Sequence, residues 1–148
     1  TKIVTDVLVF DVSGGVMACD IPTWKRIIDM RAVDIVQPDI LYLGGISRTM
    51  RIVELAKSAG IPVTPHCANL SLVTLFTMHL LKAIPNAGKY LEFSIEGADY
   101  YPWQQNLFKN NLFDIEDGCV CIKSDPGWGF EINDEWLSKS DYRISNFE

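Results

Sequence analysis

A chain of 148 residues, 48% of them hydrophobic and 22% charged, is large enough to bury one core. It is too short for two full-sized domains or for a closed eight-unit βα barrel, which takes about 250 residues. Thirteen basic against nineteen acidic side chains leave a net charge of −6, which excludes the basic footprint of a protein that binds nucleic acid or an anionic membrane surface.

In chain order, the first expected element is a strand over 8–12, where Leu8, Val9, Phe10 and Val12 cluster. A Gly14-Gly15 turn follows, then a helix over 22–30 with Trp24, Ile27 and Ile28 facing inward. Residues 34–37 form a short β-branched run ended by Pro38, and Gly44-Gly45 breaks the chain before Ser47, a candidate helix N-cap. The helix expected over 48–59 repeats its apolar residues at Met50, Val53 and Ala56, and Gly60 sits where a left-handed C-terminal cap belongs. Residues 61–64 restart an extended segment. A buried helix over 71–84 carries Leu72, Leu75, Phe76, Leu80 and Ala83 at helical spacing and is closed by Pro85. Residues 90–94 read as the next strand. The alternation implies four parallel strands in an α/β architecture. From Gly97 the pattern turns to aromatic residues and turn residues, among them Tyr100-Tyr101-Pro102-Trp103 and Asp125-Pro126-Gly127-Trp128-Gly129. The expected division is therefore 1–96 as a partial βα barrel and 97–148 as an irregular aromatic tail.

No apolar run approaches the roughly 18 residues of a membrane span, and no basic segment followed by an apolar stretch opens the chain. A soluble, cytoplasmic protein with neither a nucleic-acid nor a membrane partner is expected. Thr1 in place of Met implies a processed N-terminus or a cut from a longer reading frame. The four cysteines, Cys19, Cys67, Cys119 and Cys121, are too few and too scattered for a disulfide scaffold, so free thiols are expected.

In parallel α/β proteins, functional side chains collect at the C-terminal ends of strands. Three polar residues stand there without an obvious local reason: Asp39, His66 and Glu92. Asp39 precedes His66 by about one βα unit, so the two can occupy neighbouring strand ends. A carboxylate bonded to one ring nitrogen fixes the imidazole tautomer and leaves the other nitrogen free to take a proton. Each residue also has a plainer reading: Asp39 as a turn aspartate after Pro38, His66 as a histidine satisfied at a strand end, and Glu92 as an exposed strand residue.

Taken together, Val33-Asp34-Ile35-Val36-Gln37-Pro38-Asp39, Gly44-Gly45-Ile46, Gly60-Ile61-Pro62-Val63-Thr64-Pro65-His66 and Leu91-Glu92 resemble the second half of the barrel in the enolase superfamily, within the mandelate racemase and muconate lactonizing enzyme group. The tail resembles that family's C-terminal segment returning to the capping domain, with Pro126-Gly127-Trp128-Gly129 in place of its Pro-Gly-Xaa-Gly turn. The resemblance implies a Mg2+-dependent lyase or isomerase, a dehydratase or racemase acting on a small acid-sugar-like substrate. It implies His66 as the acid or base, Asp39 as its partner, and Glu92 as a hydrogen-bond donor to the substrate carboxylate. It also implies a metal ligand at the position held here by Val16, and valine offers no oxygen to a hard cation. The family's Lys-Xaa-Lys and its two other acidic ligands are not among these residues.

Proton removal beside a carboxylate concentrates negative charge that such enzymes neutralise with metal. No cofactor is therefore expected in this chain, and no activity from it alone. Two other functions stay open: a non-catalytic half-barrel that self-assembles, and a metabolite- or phosphate-binding module using the Gly44-Gly45 helix start. A half-barrel exposes strand edges and an apolar face, so a homo-oligomer is expected. His79 is expected as a packed core residue, Cys119-Val120-Cys121 lacks the partners of a zinc site, and Cys67 should point away from the face that carries His66.

Overall fold

The computed structural model describes residues 1–145. Two compact units divide the chain, Thr1–Ile95 and a second beginning at Glu96. Among the described residues no helix is long and apolar enough to cross a membrane.

In the first unit the elements run α1 (Lys2–Val7), β1 (Ser13–Gly14), α2 (Ile21–Asp29), β2 (Ile35–Val36), α3 (Ile46–Ser58) and α4 (Leu72–Ala83). Local chemistry accounts for the longer helices. The Asp20 carboxylate accepts from Thr23 N at 2.8 Å and caps α2, and Pro22 occupies its first turn, where no amide donor is needed. Trp24 and Ile28, one turn apart, face inward as expected, and the Trp24 indole donates to the Ala18 carbonyl at 2.8 Å. Ile27 is only half-buried. Helix α3 begins at Ile46 rather than after Ser47. Gly44 N and Gly45 N donate to Leu41 O and Ile40 O, closing the turn early and making Gly45 the cap. Ser71 caps α4, which buries Val73, Leu75, Met78 and Leu80 on several sides. His79 is half-buried on this helix rather than packed in the core.

The strands pair in parallel and in chain order. Ser13 lies opposite Ile35 and Gly14 opposite Val36, while single bridges join Val36 to Val63 and Val63 to Ala87. Val36 and Val63 point into the core formed with α2, α3 and α4, beside Trp24, Ile52 and Val53. By the period of two, Ile35, Gln37 and Thr64 lie on the opposite face and are only half-buried.

Two expected strands form elsewhere. Residues 8–12 are not a strand, and Val9 and Phe10 are exposed. The register of β1 on β2 sets those residues opposite 30–34, where α2 ends and Arg31 takes φ 45°. No ladder is available there. Only Val12 is tied in, accepting from Asp34 N at 2.8 Å and donating to the Asp34 carboxylate at 2.9 Å. Residues 90–94 are likewise not a strand, and pairing with the preceding segment falls at Ala87. Val63 N donates to Asn86 O and Gly88 N to Val63 O, but the next donor along that edge would be Pro65, which has no N–H. Helix α1 has no counterpart in the sequence reading. It buries no residue and is tethered by Thr5 Oγ1, which donates to Ala32 O at 2.8 Å.

The second unit holds a 3₁₀ turn (Gln104–Asn106), an antiparallel hairpin of β3 (Ile115–Glu116) and β4 (Cys119–Val120), and α5 (Asp134–Lys139). Asp117 and Gly118, both at positive φ, make the two-residue hairpin turn. Phe108 is buried with the rings of Phe113 and Phe130 edge-on to it at 5.7 and 5.2 Å, and its backbone bridges to Ile132. Residues read as an irregular tail thus build a small aromatic core of their own. Cys119 and Cys121 are exposed free thiols, as is Cys19, whereas Cys67 is buried.

Candidate active site

Asp39 and His66 end adjacent parallel segments. Their backbones form a bridge, and His66 N donates to Pro38 O at 3.1 Å. Residues paired in this way project to the same side of the sheet, so the two side chains meet. Oδ2 of Asp39 lies 2.8 Å from His66 Nδ1, and Oδ1 accepts from the amides of Leu41 and Tyr42 at 2.7 and 2.9 Å. The buried aspartate is held by a turn at one oxygen and holds the imidazole with the other. That arrangement makes Nδ1 the protonated nitrogen and leaves the lone pair on Nε2. The Tyr42 ring stands 5.9 Å from the imidazole. His66 keeps 15% of its side-chain surface open.

Glu92 joins this pair from the following segment. Its Oε1 is 4.0 Å from His66 Nε2, beyond hydrogen-bond reach, and its Oε2 accepts from Cys67 N at 3.1 Å. The Cys67 thiol in turn donates to the Glu92 carbonyl at 2.8 Å. These two bonds staple Glu92 to the end of the neighbouring segment without a strand ladder. Burial pushes the Cys67 thiol up to about 12, with the Glu92 charge adding to the rise. A thiol so protected is structural and not nucleophilic.

Asp39, His66 and Glu92 are thus brought together. On the same face lies a cavity of about 500 Å3 whose lining includes Asp11, Ser13, Gln37, Thr64, Lys89 and Glu92. The sequence reading did not pick out Gln37, Thr64 or Lys89. Counting back by two from Asp39 and His66 would have found the first two, since they lie one step deeper on the same strand faces. Lys89 gives no such signal because its segment is not a paired strand.

Val16, at the position that the resemblance pairs with a metal ligand, is half-buried just after β1. Among the described residues no group of three or more His, Cys, Asp or Glu side chains could hold a metal ion. The residues present here do not fit a hard divalent cation, which needs several oxygen ligands.

Comparison with known proteins places the chain in a family. The chain is 32% identical over 109 residues to arabinonate dehydratase of Saccharolobus solfataricus, a match covering 74% of this chain and 28% of that protein. A crystal structure of a candidate racemase from Roseobacter denitrificans superposes with a TM-score of 0.93 at 68% identity, covering 99% of this chain and 40% of the other. L-talarate/galactarate dehydratase of Salmonella typhimurium LT2, solved with Mg and L-lyxarohydroxamate, matches at 26% identity and a TM-score of 0.72, covering 93% of this chain and 32% of the other. The chain therefore spans less than a third of the curated dehydratase and two-fifths of the Roseobacter protein. The family model described as Enolase C-terminal domain-like matches residues 3–136, and the chain belongs to that family.

Proposed function

We propose that this chain carries the acid/base arm of a site that removes the proton α to the carboxylate of a small acid-sugar-like molecule, leading to dehydration or racemisation. The observation that supports it is the Asp39–His66 contact at 2.8 Å with Nε2 turned toward Glu92. In this reading His66 takes or returns the α-proton at Nε2. Asp39 orients the ring and stabilises its protonated form, and Glu92 contacts the substrate carboxylate. The relatives named above, arabinonate dehydratase and L-talarate/galactarate dehydratase, favour the substrate class.

The same reading makes the 148-residue chain inactive alone. Abstraction beside a carboxylate leaves a dianionic intermediate, and electrostatic stabilisation of such charge is usually the largest catalytic contribution. Val16 contributes nothing to it. The test is incubation of the chain with arabinonate, galactarate and related acid sugars, with and without Mg2+, while following solvent deuterium at the α-carbon and 2-keto product. Neither should appear, and Val16→Glu alone should not restore either. Exchange that vanishes in His66→Asn would keep the dyad and overturn the inactivity.

A further inference from the structure

The hairpin of the second unit carries two of the chain's cysteines, and they share a face. Its register sets Ile115 opposite Val120 and Glu116 opposite Cys119, with Asp117 and Gly118 closing the turn. Along β4 and just beyond it the exposure alternates: Cys119 and Cys121 are exposed, Val120 and Ile122 half-buried. Side chains two residues apart on a strand point the same way, so both sulfurs stand on the outer face, beside Glu116. Both are free thiols. Everything the pair needs lies within residues 115–121. The side of the hairpin that carries Ile115, Val120 and Ile122 is the apolar one, suited to packing, which leaves the thiol side to water.

Strand geometry decides which chemistry two such thiols can share. Cα atoms two residues apart on a strand are about 6.6–6.8 Å from each other, at the outer limit for a disulfide, whose Cβ atoms must also close to about 3.5–4.5 Å. Side chains that leave a strand in parallel do not converge that far while the ladder with β3 is kept. A metal between the sulfurs relaxes the demand, because two metal–sulfur bonds of about 2.3 Å let the sulfurs stand as much as about 4.6 Å apart. No third His, Cys, Asp or Glu joins the pair among the described residues, which leaves it short of the tetrahedral set of zinc and of the oxygen shell of a hard cation. Two soft ligands in line suit a monovalent, thiophilic ion.

We propose that Cys119 and Cys121 form a two-coordinate binding site for a soft monovalent cation of the Cu(I) type. Binding bonds two thiolates to the ion and passes two thiol protons to solvent. The charged groups along the hairpin are the carboxylates of Asp114, Glu116 and Asp117 and the ammonium of Lys123. The carboxylates attract the cation and oppose loss of the thiol protons, so they adjust the absolute affinity and leave the proton count unchanged.

The test is competition for Cu(I), in the absence of oxygen, between the reduced 148-residue chain and a chromophoric Cu(I) chelator. One ion per chain should bind. Where both thiols are protonated in the free chain, affinity should rise about 100-fold per pH unit, the mark of two released protons. Cys119→Ser and Cys121→Ser should each weaken binding by more than about 100-fold, the upper end of what losing even a group behind a ligand costs, and cut the slope to about tenfold per pH unit. Cys19→Ser, which removes an exposed thiol of the first unit, should change neither. Both hairpin thiols are exposed, so unchanged melting of the metal-free variants will show that they are folded. X-ray absorption at the copper edge should find two sulfur neighbours and no other ligand. Absence of binding overturns the proposal, as does equal binding by wild type and either hairpin variant, loss of binding in Cys19→Ser, or a slope of about tenfold per pH unit in the wild type. A copper shell of three or more ligands, or one containing nitrogen, overturns the two-coordinate site.

Discussion

Asp39 is the most heavily engaged polar side chain at the site, accepting from two amides and facing one imidazole nitrogen while almost fully buried. Asp39→Ala strands all three donors, and buried donors without partners cost about 1–3 kcal/mol each when water cannot replace the acceptor. Partial rehydration through the opening beside His66 limits the total, so a loss of about 2–3 kcal/mol is expected in urea unfolding. Asp39→Asn can keep the amide bonds through its oxygen but turns an NH2 toward Nδ1. The imidazole should then switch its proton to Nε2, visible in ring 15N shifts, with a smaller loss of stability. Cys67 yields a second prediction. Its folded-state value, raised from 9.0 to about 12, means the unfolded chain releases the thiol proton first. The stability associated with the protonated thiol is therefore complete below pH 9 and lost as pH rises toward 12. Urea melts between pH 8 and 11 should fall more steeply for the wild type than for Cys67→Ala. At pH 8 a thiol reagent should label Cys19, Cys119 and Cys121 and reach Cys67 only on unfolding.

At the scale of elements, the turn between β1 and α2 is the tightest constraint. Gly15 has φ 99°, a conformation that disfavours any side chain, and a Cβ there would enter the ring of fully buried Trp24. Trp24 is fixed by its indole bond to Ala18 O and cannot retreat without breaking it. Gly15→Ala combines backbone strain with overpacking, and an unfolding free energy lower by roughly 2–4 kcal/mol is expected. Tryptophan fluorescence during denaturation would measure it. A loss below about 0.5 kcal/mol would show that the turn can shift around Trp24. The strand segments are short, and each is held by few backbone bonds, so the core side chains of α2, α3 and α4 carry most of the cohesion of this unit.

Across the whole molecule, large apolar side chains remain open in the first unit, with Val9 fully exposed and Ile3, Val7 and Phe10 mostly so. On its other side β1 has no strand partner among the described residues. Free strand edges and clustered apolar groups favour association. Self-association is accordingly our proposal for this chain in solution. Sedimentation velocity across micromolar concentrations should show a rising mean mass, and Val9→Lys with Phe10→Lys should reduce it. A monomer at every concentration that melts cooperatively would remove the proposal.

Helices α2, α3 and α4 were legible to within a few residues because their bonds run between residues four apart and their caps, Asp20 and Ser71, are local. The spacing of Asp39, His66 and Glu92 was legible through motif resemblance, which also marked Val16 as a departure. Which extended residues pair was not legible. A strand's bonds come from a partner tens of positions away, so the register moved the first ladder from 8–12 to Ser13–Gly14, and Pro65 kept 90–94 out of the last one. Folding in three dimensions also set the two amide bonds to Asp39, the thiol staple from Cys67 to Glu92, and the presence of Lys89 in the cavity. Local pattern dictates how a helix turns and where it stops, whereas the face and register of a strand exist only relative to the chain that lies beside it.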